Sequence, residues 1–295
     1  MDFKEKLALK TAEAEKIIDS FLPAEEGFQK IIFESMNYSV RVGGKRLRPL
    51  MMLEVYRMFG GSGREIEPFM AGMEMMHSAS LVHDDLPAMD NDTLRRGKPT
   101  TWSKYGEDMA ILAGDALMVY AFETASRAAE MTDHPERVLA AMNIFANKSG
   151  IYGMIGGQTV DVELTDQPID EEHLDFIFRL KTGALIEASM MIGACLAGAT
   201  AEELAQIEKA AGDIGFAFQI QDDILDIYGN EAELGKPIHS DEKNHKTTYV
   251  SLYGLEKAKA DVRFRSDRAI SIFRNLPGDS SFMEDLIASL VGRSF

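Results

Sequence analysis

The feature that most constrains this chain is the period of its apolar residues. They recur at three- and four-residue spacing from the N-terminal segment to Leu286, Ile287 and Leu290, and strand-like alternation is nearly absent. Met, Ala, Leu, Glu and Lys abound, all good helix formers. Breakers fall between the periodic segments, at Pro23, Gly43-Gly44, Gly60 to Gly63, Gly97-Lys98-Pro99, Asp133-His134-Pro135, Gln167-Pro168 and Pro277-Gly278. They cut the chain into about ten helices of ordinary length. Asp170-Glu171-Glu172 and Thr200-Ala201-Glu202-Glu203 read as helix N-termini, each with a capping residue and an acidic first turn. The expected fold class is all-α. With no low-complexity linker and no composition shift, one domain is expected over residues 1–295.

Charge narrows the function. There are 48 acidic and 31 basic residues, a net charge of −17. Nucleic acid and anionic membrane would both repel such a chain, so neither is expected as a partner. A small anionic substrate is compatible, because placed cations and metal ions set the local field. Cys195, the only cysteine, lies in the apolar run Met190 to Ala197 and is expected to be packing. No secretory h-region and no uninterrupted apolar run of membrane-spanning length are seen, which predicts a cytoplasmic protein.

Two aspartate clusters carry the chemistry. The first, Asp84-Asp85-Leu86-Pro87-Ala88-Met89-Asp90, ends an apolar helical segment. Pro87 must disturb the helix there, and a local bulge or loop would bring Asp90 back towards Asp84. The second, Asp222-Asp223-Ile224-Leu225-Asp226, lies inside the helical run Ile214 to Ile227, so Asp222 and Asp226 share one helix face. Carboxylates this close raise each other's pKa unless something positive sits among them. A solvated acidic helix end fits poorly, because both clusters are embedded in apolar helix. Hard divalent cations with oxygen ligands supply the compensation, and Mg²⁺ in particular bridges one or two carboxylates to substrate phosphates.

A metal-bridged diphosphate still needs cations around it. Gly43-Gly44-Lys45-Arg46-Leu47-Arg48-Pro49 is a dense basic patch, and Arg95-Arg96-Gly97-Lys98-Pro99 follows the first cluster directly. Lys181-Thr182-Gly183, Lys236 and Lys246 add further positive charge. His77 lies two turns before Asp84 on nearly the same helix face. Gln158, Gln219 and Gln221 are polar liners of such a site, and the methionines around Met73 read as core or apolar wall.

In sequence order, GGKRLRP, HDDLPAMDND, RRGKPT, GGQTVD, KTG, FQIQDDILD, LGKP and KTTY make the chain resemble the trans-isoprenyl diphosphate synthases, especially the bacterial farnesyl and geranylgeranyl diphosphate synthases. That resemblance covers nearly the whole chain. It implies an all-α helical bundle with the aspartate clusters on facing helices at one end of a deep central cavity, three Mg²⁺ ions, and a homodimer. By motif, Asp84, Asp90 and Asp222 correspond to metal ligands, with Asp85, Asp223 and Asp226 as supporting ligands or water-mediated partners. Arg95, Lys181, Thr182, Gln219, Lys236 and Lys246 correspond to contacts with the allylic diphosphate. Lys45, Arg48, His77 and Arg96 correspond to the isopentenyl diphosphate site.

The implied reaction is ionisation of an allylic diphosphate (dimethylallyl, geranyl or farnesyl) and attack by the double bond of isopentenyl diphosphate, giving farnesyl or geranylgeranyl diphosphate. Ala79 and Ser80 lie roughly 6–7 Å before the first aspartates along the helix, where a cavity floor would set product length. Similar farnesyl synthases usually carry an aromatic where this chain has Ala79, which favours the longer product. Two alternatives share features with this reading. A class I terpene cyclase needs no second diphosphate site, and a non-catalytic synthase subunit generally lacks one aspartate motif. Both clusters together with Lys45, Arg48 and Arg96 favour the synthase.

Overall fold

The computed structural model of the chain describes residues 2–228 and 247–292. Lys236 and Lys246 lie outside the described residues. Those described form fourteen α-helices and a single two-stranded ladder. The excess over ten comes partly from one-turn helices such as Thr101–Tyr105 (α5) and Tyr249–Tyr253, each preceded by a threonine and ended by a glycine. The chain divides into two compact units, Met1–Leu53 with Ser62–Met142, and Glu54–Gly61 with Asn143–Phe295.

In the first unit, α1 (Phe3–Ser20), α2 (Lys30–Arg41) and α6 (Glu107–Ser126) pack against α4 (Ile66–Asp84). α4 is apolar on nearly every side, and Phe69, Met70, Met73, Met75 and Ala79 are fully buried. A helix apolar all round belongs in the middle of a bundle. Each large side chain so buried contributes about 1.5–3 kcal/mol relative to exposure. α6 approaches closely because its inner face is small: Ala110, Ala113, Gly114, Ala121 and Ala125 are all buried. A Cβ on Gly114 would lie 2.1 Å from Nε2 of His83, the residue just before the first aspartate cluster. The end of α4 is therefore seated directly on α6.

In the second unit, α9 (Glu171–Ile177), a π-helical turn (Phe178–Gly183) and α10 (Ala184–Ala197) follow one another without a break. α8 (Met154–Glu163) and α11 (Ala201–Tyr228) both pack against the π turn. Both predicted caps form: Asp170 accepts the His173 N–H, and Thr200 and Glu203 bond reciprocally. Phe178, Phe216 and Tyr249 make a mutually packed aromatic core with ring centroids 5.5–6.3 Å apart. Ile220, Ile224 and, from the helix Leu255–Asn275, Val262 complete that cluster.

Two helical stretches, Glu107–Glu130 and Glu171–Ala197, are long and apolar enough to cross a membrane by length and composition. A search for uninterrupted apolar runs misses them, because scattered charges break each one. The second is 72% buried inside the protein, as befits a core helix. Cys195 is buried on it, as expected.

Candidate active site

The first aspartate cluster begins where α4 runs out. Asp84 is the last helical residue, and Asp85 caps it with its N–H on the Leu81 carbonyl. Pro87 stops propagation, and the chain curls so that the Asp90 N–H donates to the Asp84 carbonyl at 2.9 Å. That is the return of Asp90 towards Asp84 expected from the proline. Asn91, at φ +55°, completes the curl. The inner carboxylate, Asp85, is 3% exposed and takes a fork from Arg95, whose Nε lies 2.9 Å and Nη2 2.6 Å from Oδ1. Burial pushes the Asp85 carboxyl up, and the Arg95 fork opposes that push. Burial also works against the charge on Arg95, but the bond to Asp85 and the fields of Asp84 and Asp92 hold its pKa above the ordinary value.

Arg95 lies on the ladder Leu94–Arg95 (β1) and Lys98–Pro99 (β2), a hairpin closed by Arg96 and Gly97. Both turn residues have positive φ, +53° and +74°, as a two-residue hairpin of this twist requires. The turn directs the Arg96 guanidinium over Gly44, where a Cβ would lie 2.7 Å from Nη1. Glycine at 44, itself at φ +146°, is thus the seat of Arg96.

Arg48, in α3 (Leu47–Met58), has Nη1 3.4 Å from His77 Nε2 on α4, and its buried Nε has no hydrogen-bond partner among the described residues. Burial, tempered by Glu74 and aggravated by Arg96, pulls the Arg48 pKa down to about 10, so it stays charged at neutral pH. Burial and then Arg48, Arg96, Arg95 and Arg46 hold His77 well below its ordinary value, and it is neutral. Lys45, two residues before α3, is exposed. Arg96 is likewise depressed, chiefly by burial. Arg48, His77 and Arg96 therefore converge in the first unit, and Lys45 is their neighbour in sequence. Ala79 is fully buried on α4, and the Ser80 hydroxyl donates to the His77 carbonyl.

The second cluster sits in the last turns of α11. Asp223 (3% exposed) and Asp226 (1%) are buried, whereas Asp222 is partly exposed. Asp223 Oδ2 accepts the Tyr249 backbone N–H at 2.7 Å, and its Oδ1 lies 3.3 Å from Gln219 Nε2. The Gln219 carbonyl oxygen accepts from the Thr182 hydroxyl at 2.9 Å. Lys181, beside it in the π turn, donates to Asp161 Oδ2 at 2.5 Å. Asp161 ends the Gly156-Gly157-Gln158-Thr159-Val160-Asp161 motif of α8. Gly157 is required there because a Cβ would lie 2.2 Å from the Lys181 nitrogen. On the other side, a Cβ on Gly215 of α11 would lie 2.8 Å from the Gly183 Cα. The π turn is gripped between two glycines.

Sequence reasoning did not find the Lys181–Asp161 and Arg46–Glu74 pairs. Asp161 lies in the Gly156–Asp161 motif, but its lysine partner is twenty residues away. Among the described residues, no three His, Cys, Asp or Glu side chains form a ready-made cage for a metal ion. The donors present are hard carboxylate oxygens, which suit an ion of the Mg²⁺ type whose shell is completed by water and substrate phosphate.

The sequence pattern of the polyprenyl synthetase family matches residues 29–276. Farnesyl diphosphate synthase of Escherichia coli K12 is 41% identical over 300 aligned positions spanning both whole chains. That of Geobacillus stearothermophilus is 39% identical over 94% of this chain and 92% of its own. Geranylgeranyl diphosphate synthase of Cyanophora paradoxa is 42% identical over 83% of this chain and 86% of its own. Among solved structures, the apo FPP/GFPP synthase from Zymomonas mobilis superposes with a TM-score of 0.86 at 31% identity, over 98% of each chain. With both aspartate clusters, the cationic patch and the helical architecture in one chain, these matches make it a member of the polyprenyl synthetase family.

Proposed function

We propose that this chain is a Mg²⁺-dependent short-chain trans-prenyl diphosphate synthase, its two units acting as one synthase domain over residues 1–295. It joins isopentenyl diphosphate to dimethylallyl, geranyl or farnesyl diphosphate. The carrying observation is the patch of Arg48 and neutral His77, with Lys45 close by in sequence and with the buried Arg48 Nε lacking any acceptor among the described residues. In a chain of net charge −17 such a patch calls for an anion.

Lys45, Arg48, His77 and Arg96 bind the diphosphate of isopentenyl diphosphate and hold its double bond for attack. Asp84, Asp90 and Asp222 are the metal ligands. Asp85 and Asp223 act in support, because Arg95, Tyr249 and Gln219 already engage their oxygens, and Asp226 joins them from the same helix. Bound Mg²⁺, three ions per site, stabilises the charge that develops on the departing diphosphate. Lys181, Thr182, Arg95 and Gln219 orient that diphosphate, joined by Lys236 and Lys246. The allylic cation is captured by the second substrate, and transfer of a proton to the released diphosphate completes a trans double bond with no side-chain nucleophile. Apolar walls keep water from the cation. With alanine at 79, the elongating chain passes towards a geranylgeranyl product. The enzyme is a soluble, cytoplasmic homodimer, and its pairing is supported by Ile111, Leu112 and Val119, which leave an apolar stripe exposed on α6.

The test is product analysis. Incubated with Mg²⁺, isopentenyl diphosphate and each allylic starter, the protein is expected to release prenyl diphosphates ending at geranylgeranyl. Chelation should stop turnover. Absence of elongation from every starter would overturn the reading.

A further inference from the structure

Of the three basic residues in Lys45-Arg46-Leu47-Arg48, Arg46 turns inward. It is 6% exposed and adopts φ +49°, which places its neighbour Lys45 on the surface. Its Nη1 donates to Oε1 of Glu74 at 2.6 Å, and Nη2 donates to the Val40 carbonyl at 2.8 Å. Glu74 is itself 3% exposed. It stands three residues before His77, hence on the same face of α4. That face therefore holds the Gly43–Arg46 loop and the first turn of α3 by two successive rungs: Glu74 to Arg46, then His77 to Arg48.

We propose that the buried Glu74–Arg46 pair is a positioning device for the isopentenyl diphosphate site: it fixes the segment that carries Lys45 and sets Arg48 beside His77. The inference rests on the function proposed above. A purely electrostatic role for Glu74 makes the opposite prediction. Neutralising a buried carboxylate leaves the patch more positive, and a diphosphate would then bind more tightly. A positioning role predicts weaker binding despite the extra charge, because misplacement of about 1 Å costs ~100-fold in the interactions of a fixed constellation. A general structural role would shift both substrates alike.

The variants are Glu74→Gln, and Glu74→Met combined with Arg46→Met. The pair replaces both charges by apolar groups and keeps the fold where one unpaired buried charge would not. Two readouts are needed. In steady-state turnover, KM for isopentenyl diphosphate should rise ~10-fold or more while KM for the allylic substrate stays within about twofold. In calorimetry with EDTA present, affinity for inorganic diphosphate should fall by a similar factor, because only the side-chain site binds it without metal. Unchanged or tighter diphosphate binding in the folded double variant would overturn the proposal. So would an equal rise in both KM values. Loss of turnover in the unmodified enzyme would sink the proposed function instead, and the calorimetric comparison would still decide the role of Glu74.

Discussion

The contact between Gly157 and Lys181 allows a sharp test of the second unit's chemistry. A Cβ at 157 would lie 2.2 Å from the Lys181 nitrogen and 2.8 Å from both the carbonyl carbon and the Cβ of Leu180. Comfortable non-bonded separation is about 3.5 Å, so Gly157→Ala must drive α8 and the π turn apart by about 1 Å. The closest atoms are backbone and cannot rotate away. Overpacking of this kind costs about 1–3 kcal/mol, a fall in Tm of roughly 2–4 °C per kcal/mol for a domain of about 150–250 residues. The larger effect should be catalytic. A displacement of about 1 Å at a positioning group costs ~100-fold in rate, equivalent to about 2.7 kcal/mol of barrier. Initial rates of product formation should therefore fall by that factor. KM for the allylic substrate should rise and KM for isopentenyl diphosphate should hold. Thr159→Ala, exposed on the same helix, should change neither. A Gly157→Ala enzyme with a lowered Tm but wild-type kinetics would refute the assignment of Lys181 to the reacting diphosphate.

Asp84→Ala and Asp222→Ala should each nearly abolish turnover while circular dichroism shows an intact helical fold; wild-type rates in both would remove the metal assignment. Ala79→Tyr should shorten the product to farnesyl length by chromatography of the dephosphorylated alcohols, and an unchanged distribution would place the floor elsewhere. His77 is held neutral in the fold but takes up a proton in the unfolded chain below its ordinary value of 6.5. Its contribution is therefore fully present above pH 6.5 and is lost as pH falls towards the depressed folded value, at up to about 1.4 kcal/mol per pH unit. Thermal melts between pH 7.5 and 5 should fall more steeply for the wild type than for His77→Asn, and parallel slopes would contradict the burial of a neutral imidazole.

What the sequence disclosed was local. The caps at Asp170 and Thr200 are decided within one turn, and both were legible. The curl from Asp84 to Asp90 was legible because proline forbids the alternative. The Leu94–Pro99 hairpin was hidden, since strands of two residues leave no alternation to detect. Arg46 looked like one more cation in an outward patch, because its partner Glu74 lies 28 residues on and no local rule links them. The Lys181–Asp161 pair was hidden for the same reason. The π turn, too, sits where Gly157 and Gly215 approach it, a long-range contact that Phe-Arg-Leu-Lys-Thr-Gly does not announce.

That turn also limits how the chain can change length. A π turn closes its hydrogen bonds over one residue more than an α turn, so deleting one residue between Phe178 and Gly183 would leave a continuous and quite regular helix. Such a deletion would pass any inspection of helix content. The flanking helices would keep their phase, because the turn absorbs the extra residue, but the residues left inside it would be rotated by up to about 100°. Lys181 and Thr182 would swing away from Asp161 and Gln219 while the buried face of α10 stayed on α11. A segment that reads as an imperfection in the helix thus acts as a phase setting, fixed in length even where its side chains are free to vary.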